Sequence, residues 1–263
     1  MKINFQNEFN KRLTTSLILF FLLIGLFSIG NTGIYLMICV LSFLSFSEIY
    51  YLNKNTIKLQ FFNPFIIIAF FFVSKTGILN IDNNLILLIL YIVGSLFTIK
   101  SLFQMNNIHF SIIGFLINSS FFSIIYMMTN HNLEYKLIFI IIIIISLCDI
   151  FAYLIGSKYG KLKIFPKISP SKTFEGYIGS FCCLLFLFTI IYSYYDLADL
   201  NLFLYLIIII ILSFIGDLYV SYFKRKLNIK DTGKLFPGHG GVLDRIDGWL
   251  FLFPFSFLIL QFS

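Results

Sequence analysis

A chain of 263 residues that is 59% hydrophobic and 12% charged, with a mean hydropathy of +0.94, lies outside the range of soluble globular domains and reads as an integral membrane protein. The formal net charge of +7 does not point to nucleic acid, because membrane proteins gather Lys and Arg on their cytoplasmic side; no nucleic-acid partner is expected. Cys39, Cys148, Cys182 and Cys183 all lie in apolar segments without a C-x-x-C pair, so they read as filler and not as metal or disulfide chemistry.

A spanning helix needs about 20 residues. On that length, nine spans are predicted: 13–29, 34–52, 61–73, 85–99, 110–128, 137–155, 177–195, 202–222 and 248–262. The expected fold is all-α, a polytopic membrane protein of about nine transmembrane helices. Gly30-Asn31-Thr32-Gly33 follows the first apolar segment with no small-residue cleavage site, so that segment is expected to remain as a helix. Glu48 lies inside the second span and reads equally as a helix–helix hydrogen-bonding group or a headgroup contact. With the N-terminus cytoplasmic, 17 of the 19 cations fall inside and only Lys75 and Lys136 fall outside, which fixes the expected orientation.

The first five spans, within residues 1–136, have short, weakly charged connections. Residues 137–263 hold four spans and both large cytoplasmic loops, 156–176 and 223–247, and the chemistry is expected there.

At the end of the sixth span, Asp149, Ala152, Tyr153, Gly156 and Gly160 share one helical face. An acid buried against small residues predicts a face closely approached by a partner or ligand, the alternative being a bond from Asp149 to a neighbouring helix. In the loop that follows, Pro166 and Pro170 break the helix. Thr173 or Ser171 can cap the next helix, whose N-terminus, with Lys172 beside it, would attract an anion. A solvated basic loop against anionic headgroups is the plainer reading.

On the eighth span Ser213, Asp217, Ser221 and Lys224 form a polar stripe, either a route to a metal and phosphates or an Asp217–Lys224 ion pair. The stripe leads into the longest polar run of the chain, Ser221 to Asp247, with six Lys or Arg, three Asp, one His and four Gly. Cations there can hold phosphates and carboxylates a divalent metal, and a Pro-Gly-His-Gly-Gly turn lets backbone approach an anion. Magnesium commonly takes one or two carboxylates and completes its shell with water and phosphates. Asp217 with Asp244 would meet that need, and Asp247 or Asp149 would join a second cation. His239 reads as a phosphate donor or as part of the turn, Asp231 as a partner of Lys230 or a cap at Gly233, and His109 and His131 as surface residues.

The spacing Ser221, Lys224, Arg225, Lys230, Asp231, Pro237, His239, Gly240, Gly241, Asp244, Arg245, Asp247 resembles the signature of phosphatidate cytidylyltransferases, also called CDP-diacylglycerol synthases. Residues 169–176 are similar to that family's Ser-Pro-Lys-Lys-Thr-x-Glu-Gly element and depart from it at Ser171. The resemblance runs from about Asp149 to Asp247. It implies an enzyme of phospholipid biosynthesis that joins CTP and phosphatidate to give CDP-diacylglycerol and pyrophosphate. It also implies a multi-pass protein of the inner, cytoplasmic membrane, a homodimer in the bilayer with its site facing the cytoplasm.

Carried onto this sequence, the resemblance implies Mg2+ at Asp217 and Asp244, with a second cation as an open addition. It assigns catalysis to Asp217, Asp244, Lys224, Arg225 and Asp247. Substrate binding falls to Asp149, Lys172, Thr173, Ser221, Lys230, His239, Gly240, Gly241 and Arg245, the two glycines letting backbone amides reach the triphosphate. Another CTP-using lipid enzyme, a polyprenol kinase or an ether-lipid synthase, is the nearer alternative; a transporter of an anionic solute is the more distant one.

Overall fold

The computed structural model describes residues 2–52, 92, 96, 108–130, 135–195, 200–236 and 240–262. The predicted span 61–73, nearly all of 85–99, and the residues His131 and His239 lie outside the described residues. Seven helices are bounded among the described residues: α1 (Lys2–Ser28), α2 (Asn31–Leu52), α3 (Ile108–Asn130), α4 (Tyr135–Tyr159), α5 (Phe174–Tyr195), α6 (Leu200–Lys226) and α7 (Trp249–Phe262). Each matches a predicted span, with α1 beginning eleven residues early and α4 and α6 each running four residues further. Among the described residues there is no strand, only two isolated bridges, Lys163 with Thr173 and Phe236 with Gly240. Four of the helices are long and apolar enough to cross a membrane: Asn31–Leu52, Ile108–Met128, Ile138–Tyr159 and Leu204–Lys226. The described part of the chain is thus all-helical and of membrane-spanning composition.

Packing divides it into two compact units, Met1–Tyr135 with Ile229–Ser263, and Lys136–Asn228. The signature segment after Asn228 is therefore grouped with the N-terminal helices, where charge distribution alone had drawn a single boundary near residue 136.

In the first unit α1 turns into α2 at Gly30, whose φ of 74° is open to glycine. At Gly33 a Cβ would collide with the Leu26 carbonyl, so the helices meet closely. α3 packs against α2 and α7, burying Phe110, Ile113, Ile117, Phe121 and Ile124. α7 contains Pro254, which has no N–H to give the Leu250 carbonyl one turn back. Ser120 Oγ of α3 lies 3.2 Å from that buried carbonyl and can share its one hydrogen between it and the Leu116 carbonyl of its own helix, 2.6 Å away.

In the second unit α4, α5 and α6 close around Cys148, Leu184, Leu206 and Ile210, flanked by Phe151 and Phe181. Cys148 behaves as a small apolar side chain there, and all four cysteines are free. α6 ends at Lys226, after which Asn228 adopts the left-handed conformation at φ 56° and its amide bonds back to the Arg225 carbonyl.

Candidate active site

The second unit builds its polar region at the joint between α4 and α5. The small face of α4 is occupied from within the unit. A Cβ on Gly156 would lie 2.9 Å from Thr173 Oγ1, one on Gly160 would lie 2.5 Å from the same oxygen, and one on Gly176 would lie 2.6 Å from the Ala152 carbonyl. The close approach predicted for this face is made by the start of α5. Asp149, expected to be buried against these small residues, is instead exposed.

Thr173 caps α5: its Oγ1 accepts the Gly176 amide at 3.2 Å. The loop before it is tied at both ends. The Phe174 amide donates to the Leu162 carbonyl at 2.8 Å, and the Glu175 carboxylate accepts the amides of Lys161 at 3.0 Å and Leu162 at 3.1 Å. Its own amide, then those of Lys161 and Leu162, hold the exposed Glu175 carboxyl below the usual glutamate range against a smaller opposing effect of burial.

Two residues of α6 engage this loop. Asp217, its side chain 14% exposed, forms an ion pair with Lys172, which is 26% exposed. The Lys172 ammonium also lies 5.7 Å from the centre of the Tyr177 ring, and that ring meets Phe214 edge-on at 4.3 Å. Arg225 is exposed and donates from Nε to the Ile168 carbonyl at 3.0 Å. Ser221 is buried and Lys224 half-buried on the same helix.

The signature loop of the first unit is organised by two carboxylates. Asp244 is buried, and its Oδ2 accepts the Thr232 amide at 2.9 Å, the Thr232 hydroxyl at 3.0 Å and the Gly241 amide at 2.9 Å. Glu48 of α2 reaches the same loop. Its Oε1 accepts the Val242 amide at 2.7 Å, and its Oε2 accepts the Leu243 amide at 3.0 Å and lies 3.2 Å from the Thr232 hydroxyl.

The glycines follow from these groups. Gly240, at φ 85°, would carry a Cβ 2.6 Å from Asp244 Oδ2, and a Cβ on Gly241 would lie 2.5 Å from Glu48 Oε2. Phe236 and Gly240 exchange backbone hydrogen bonds at 3.0 and 3.1 Å on either side of residues 237–239. Both glycine amides expected to meet a phosphate thus have protein acceptors, Phe236 for Gly240 and Asp244 for Gly241. Lys230 and Arg245 are exposed on this loop, and Asp247, half-buried, accepts the Gly248 amide at 2.9 Å. Among the described residues no group of three or more His, Cys, Asp or Glu is placed to hold a metal ion.

A profile described as the cytidylyltransferase family matches residues 10–263. This chain belongs to that family. It is 31% identical over 259 residues to a phosphatidate cytidylyltransferase of Staphylococcus haemolyticus, covering 95% of this chain and 98% of that protein. Relatives of the same name from Staphylococcus epidermidis and Staphylococcus aureus are 40% and 41% identical over 121 residues, 45% of this chain and 46% of each of theirs. The resemblance read from the motifs is thereby extended over nearly the whole length.

Sequence reasoning left two participants without a role. Glu48 carried the only advance signal, a carboxylate within an apolar span. Thr232 gave none, since its function depends on groups supplied by α2 and by the turn at Asp244.

Proposed function

We propose that this chain transfers the cytidylyl group of CTP to phosphatidate, giving CDP-diacylglycerol and pyrophosphate at the cytoplasmic face of the membrane. The observation that carries the reading is the near-complete match to the Staphylococcus haemolyticus phosphatidate cytidylyltransferase. The nine-span arrangement with a cytoplasmic N-terminus, and a homodimeric assembly, belong to the same proposal.

The nucleophile is already an anionic phosphate oxygen, so little general-base catalysis is required. The protein's task is to bring two anions together and neutralise charge that develops at the α-phosphate. Lys172, oriented by Asp217 and the Tyr177 ring, is a cation held in place before substrate arrives. Arg225 braces the Ile168 loop with Nε, and Lys224, Lys230 and Arg245 add positive charge.

Asp217 fits magnesium: it is a hard oxygen donor, largely buried, that already faces a cation in Lys172. When bound, magnesium neutralises phosphate charge and stabilises the leaving pyrophosphate. Asp244 was paired with it in the sequence reading. With three donors on its Oδ2, this carboxylate also has a separate task in holding the loop.

The deciding experiment is CTP-dependent pyrophosphate release by purified protein in detergent, with phosphatidate and magnesium, beside Asp217→Asn and Asp244→Asn. Release that requires phosphatidate, yields a CDP-lipid and collapses in both variants supports the reading. Turnover with a polyprenol and none with phosphatidate overturns the substrate, and no CTP consumption by folded protein overturns the enzyme.

A further inference from the structure

Residues 242–246 form a helical turn in which the amides of Arg245 and Ile246 both bond to the Val242 carbonyl, at 2.9 and 3.2 Å. The first amides of such a turn have no acceptor within it, and they favour a negative charge. Here the negative charge comes from another helix: Glu48, 8% exposed near the end of α2, takes the Val242 and Leu243 amides with its two oxygens. The carboxylate also excludes side chains around it, for a Cβ on either Gly233 or Gly241 would lie 2.5 Å from a Glu48 oxygen. Thr232 Oγ1 stands between Glu48 Oε2 and Asp244 Oδ2, so one hydroxyl links the two acids.

We propose that Glu48 is the positioning residue of the nucleotide-handling loop, filling with its own carboxylate the amide cradle that a glycine turn would otherwise offer to a phosphate. The proposal rests on the cytidylyltransferase reading above. Its consequence is a division of labour. With the amides of Gly241, Val242 and Leu243 given to Asp244 and Glu48, the triphosphate is held by the loop's side-chain cations, Lys230 and Arg245, and their placement depends on Glu48. Lys172, Lys224 and Arg225 stand on other segments and do not depend on it.

The test is Glu48→Gln, which keeps the shape but replaces one accepting oxygen by a donor. Two readouts are taken on the full-length protein in detergent. First, hydrogen exchange at the Val242 and Leu243 amides is expected to speed up by about tenfold or more, the loss of a hydrogen bond to a charged group. Second, KM for CTP is expected to rise by about tenfold while KM for phosphatidate stays within about twofold. Thr232→Val is expected to move the same constant, and the double variant to be little worse than Glu48→Gln alone, because the two residues act as one unit.

Unchanged exchange, an unchanged KM for CTP, or an equal rise for both substrates overturns the proposal. Should Glu48→Gln not fold, Thr232→Val decides by the same comparison, since it keeps the carboxylate. If wild-type protein fails to turn over CTP with phosphatidate, the functional reading fails while the exchange measurement still decides whether Glu48 holds the loop.

Discussion

Lys172 forms an ion pair with Asp217, joining the loop before α5 to the polar stripe of α6. The partner of the stripe's acid is thus a residue of the preceding loop, and its ammonium lies over the Tyr177 ring, which is itself packed edge-on against Phe214. A cation and a carboxylate both assigned to phosphate chemistry are therefore already balanced against each other. Removing either changes the other.

Lys172→Met leaves the Asp217 carboxylate largely buried without its cation. The expected loss of stability is about 1–3 kcal/mol, read as a lowered midpoint of thermal unfolding in detergent. Asp217→Asn combined with Lys172→Met is expected to recover part of that loss, because no uncompensated charge remains, yet to stay inactive. Full pyrophosphate release by Lys172→Met would remove Lys172 from the machinery.

The contact between α4 and α5 can be probed from both sides. Thr173→Ala deletes the cap of α5 and is expected to cost about 1 kcal/mol. Gly160→Ala places a methyl group against Thr173 and is expected to cost about 1–3 kcal/mol, since the buried threonine must shift. Gly25→Ala is the control: a Cβ there meets nothing within 4 Å, and the change is expected to stabilise α1 by about 0.5–1 kcal/mol. A Gly160→Ala protein that melts at the wild-type temperature contradicts the packing described.

Asp244→Asn separates loop holding from metal binding. All three donors meet one oxygen, and the neutral amide oxygen of Asn accepts them more weakly than the carboxylate does, so faster exchange at the Thr232 and Gly241 amides is expected even with magnesium chelated. Chelation of the wild-type protein is expected to stop turnover, with restoration on adding magnesium, while exchange at those two amides stays slow. Exchange in Asp244→Asn indistinguishable from wild type would show that the acid does not organise the turn.

Glu175 gives the loop a pH dependence. Its folded-state carboxyl is held below the usual glutamate range, so its contribution is fully present above that range and disappears as pH falls through the lower, folded-state value. Proteolytic cutting between residues 160 and 173 is expected to quicken on acidification through this window in wild-type protein. In Glu175→Gln that acid-induced change should be absent; its persistence would assign the effect to another group.

The helices were legible because apolar length is a strong signal, and every described helix falls on a predicted span. The cap at Thr173 was legible from the proline-broken loop before it. Asp149 was misjudged: small residues at its helical spacing suggested burial, but that face meets Thr173 and Gly176 further along α4 and leaves the acid exposed. Glu48 and Thr232 were beyond local reading, since their partners lie in segments remote in sequence. The Gly240-Gly241 turn was recognised as an anion-accepting shape, and only the fold supplied the anions that fill it.

Pro254 and Ser120 carry a lesson about assembly. The proline strips one carbonyl of α7 of its usual donor, and the hydroxyl of a serine on another helix, shared with the Leu116 carbonyl, comes within 3.2 Å of it. In surroundings without water a bare carbonyl has no other recourse. α7 is accordingly a helix whose first turn lacks one bond of its own, and the hydroxyl within reach of the gap belongs to a neighbour. Because α3 is synthesised first, the serine is already in place when the proline arrives, so the direction of translation and the chemistry of one hydroxyl point the same way.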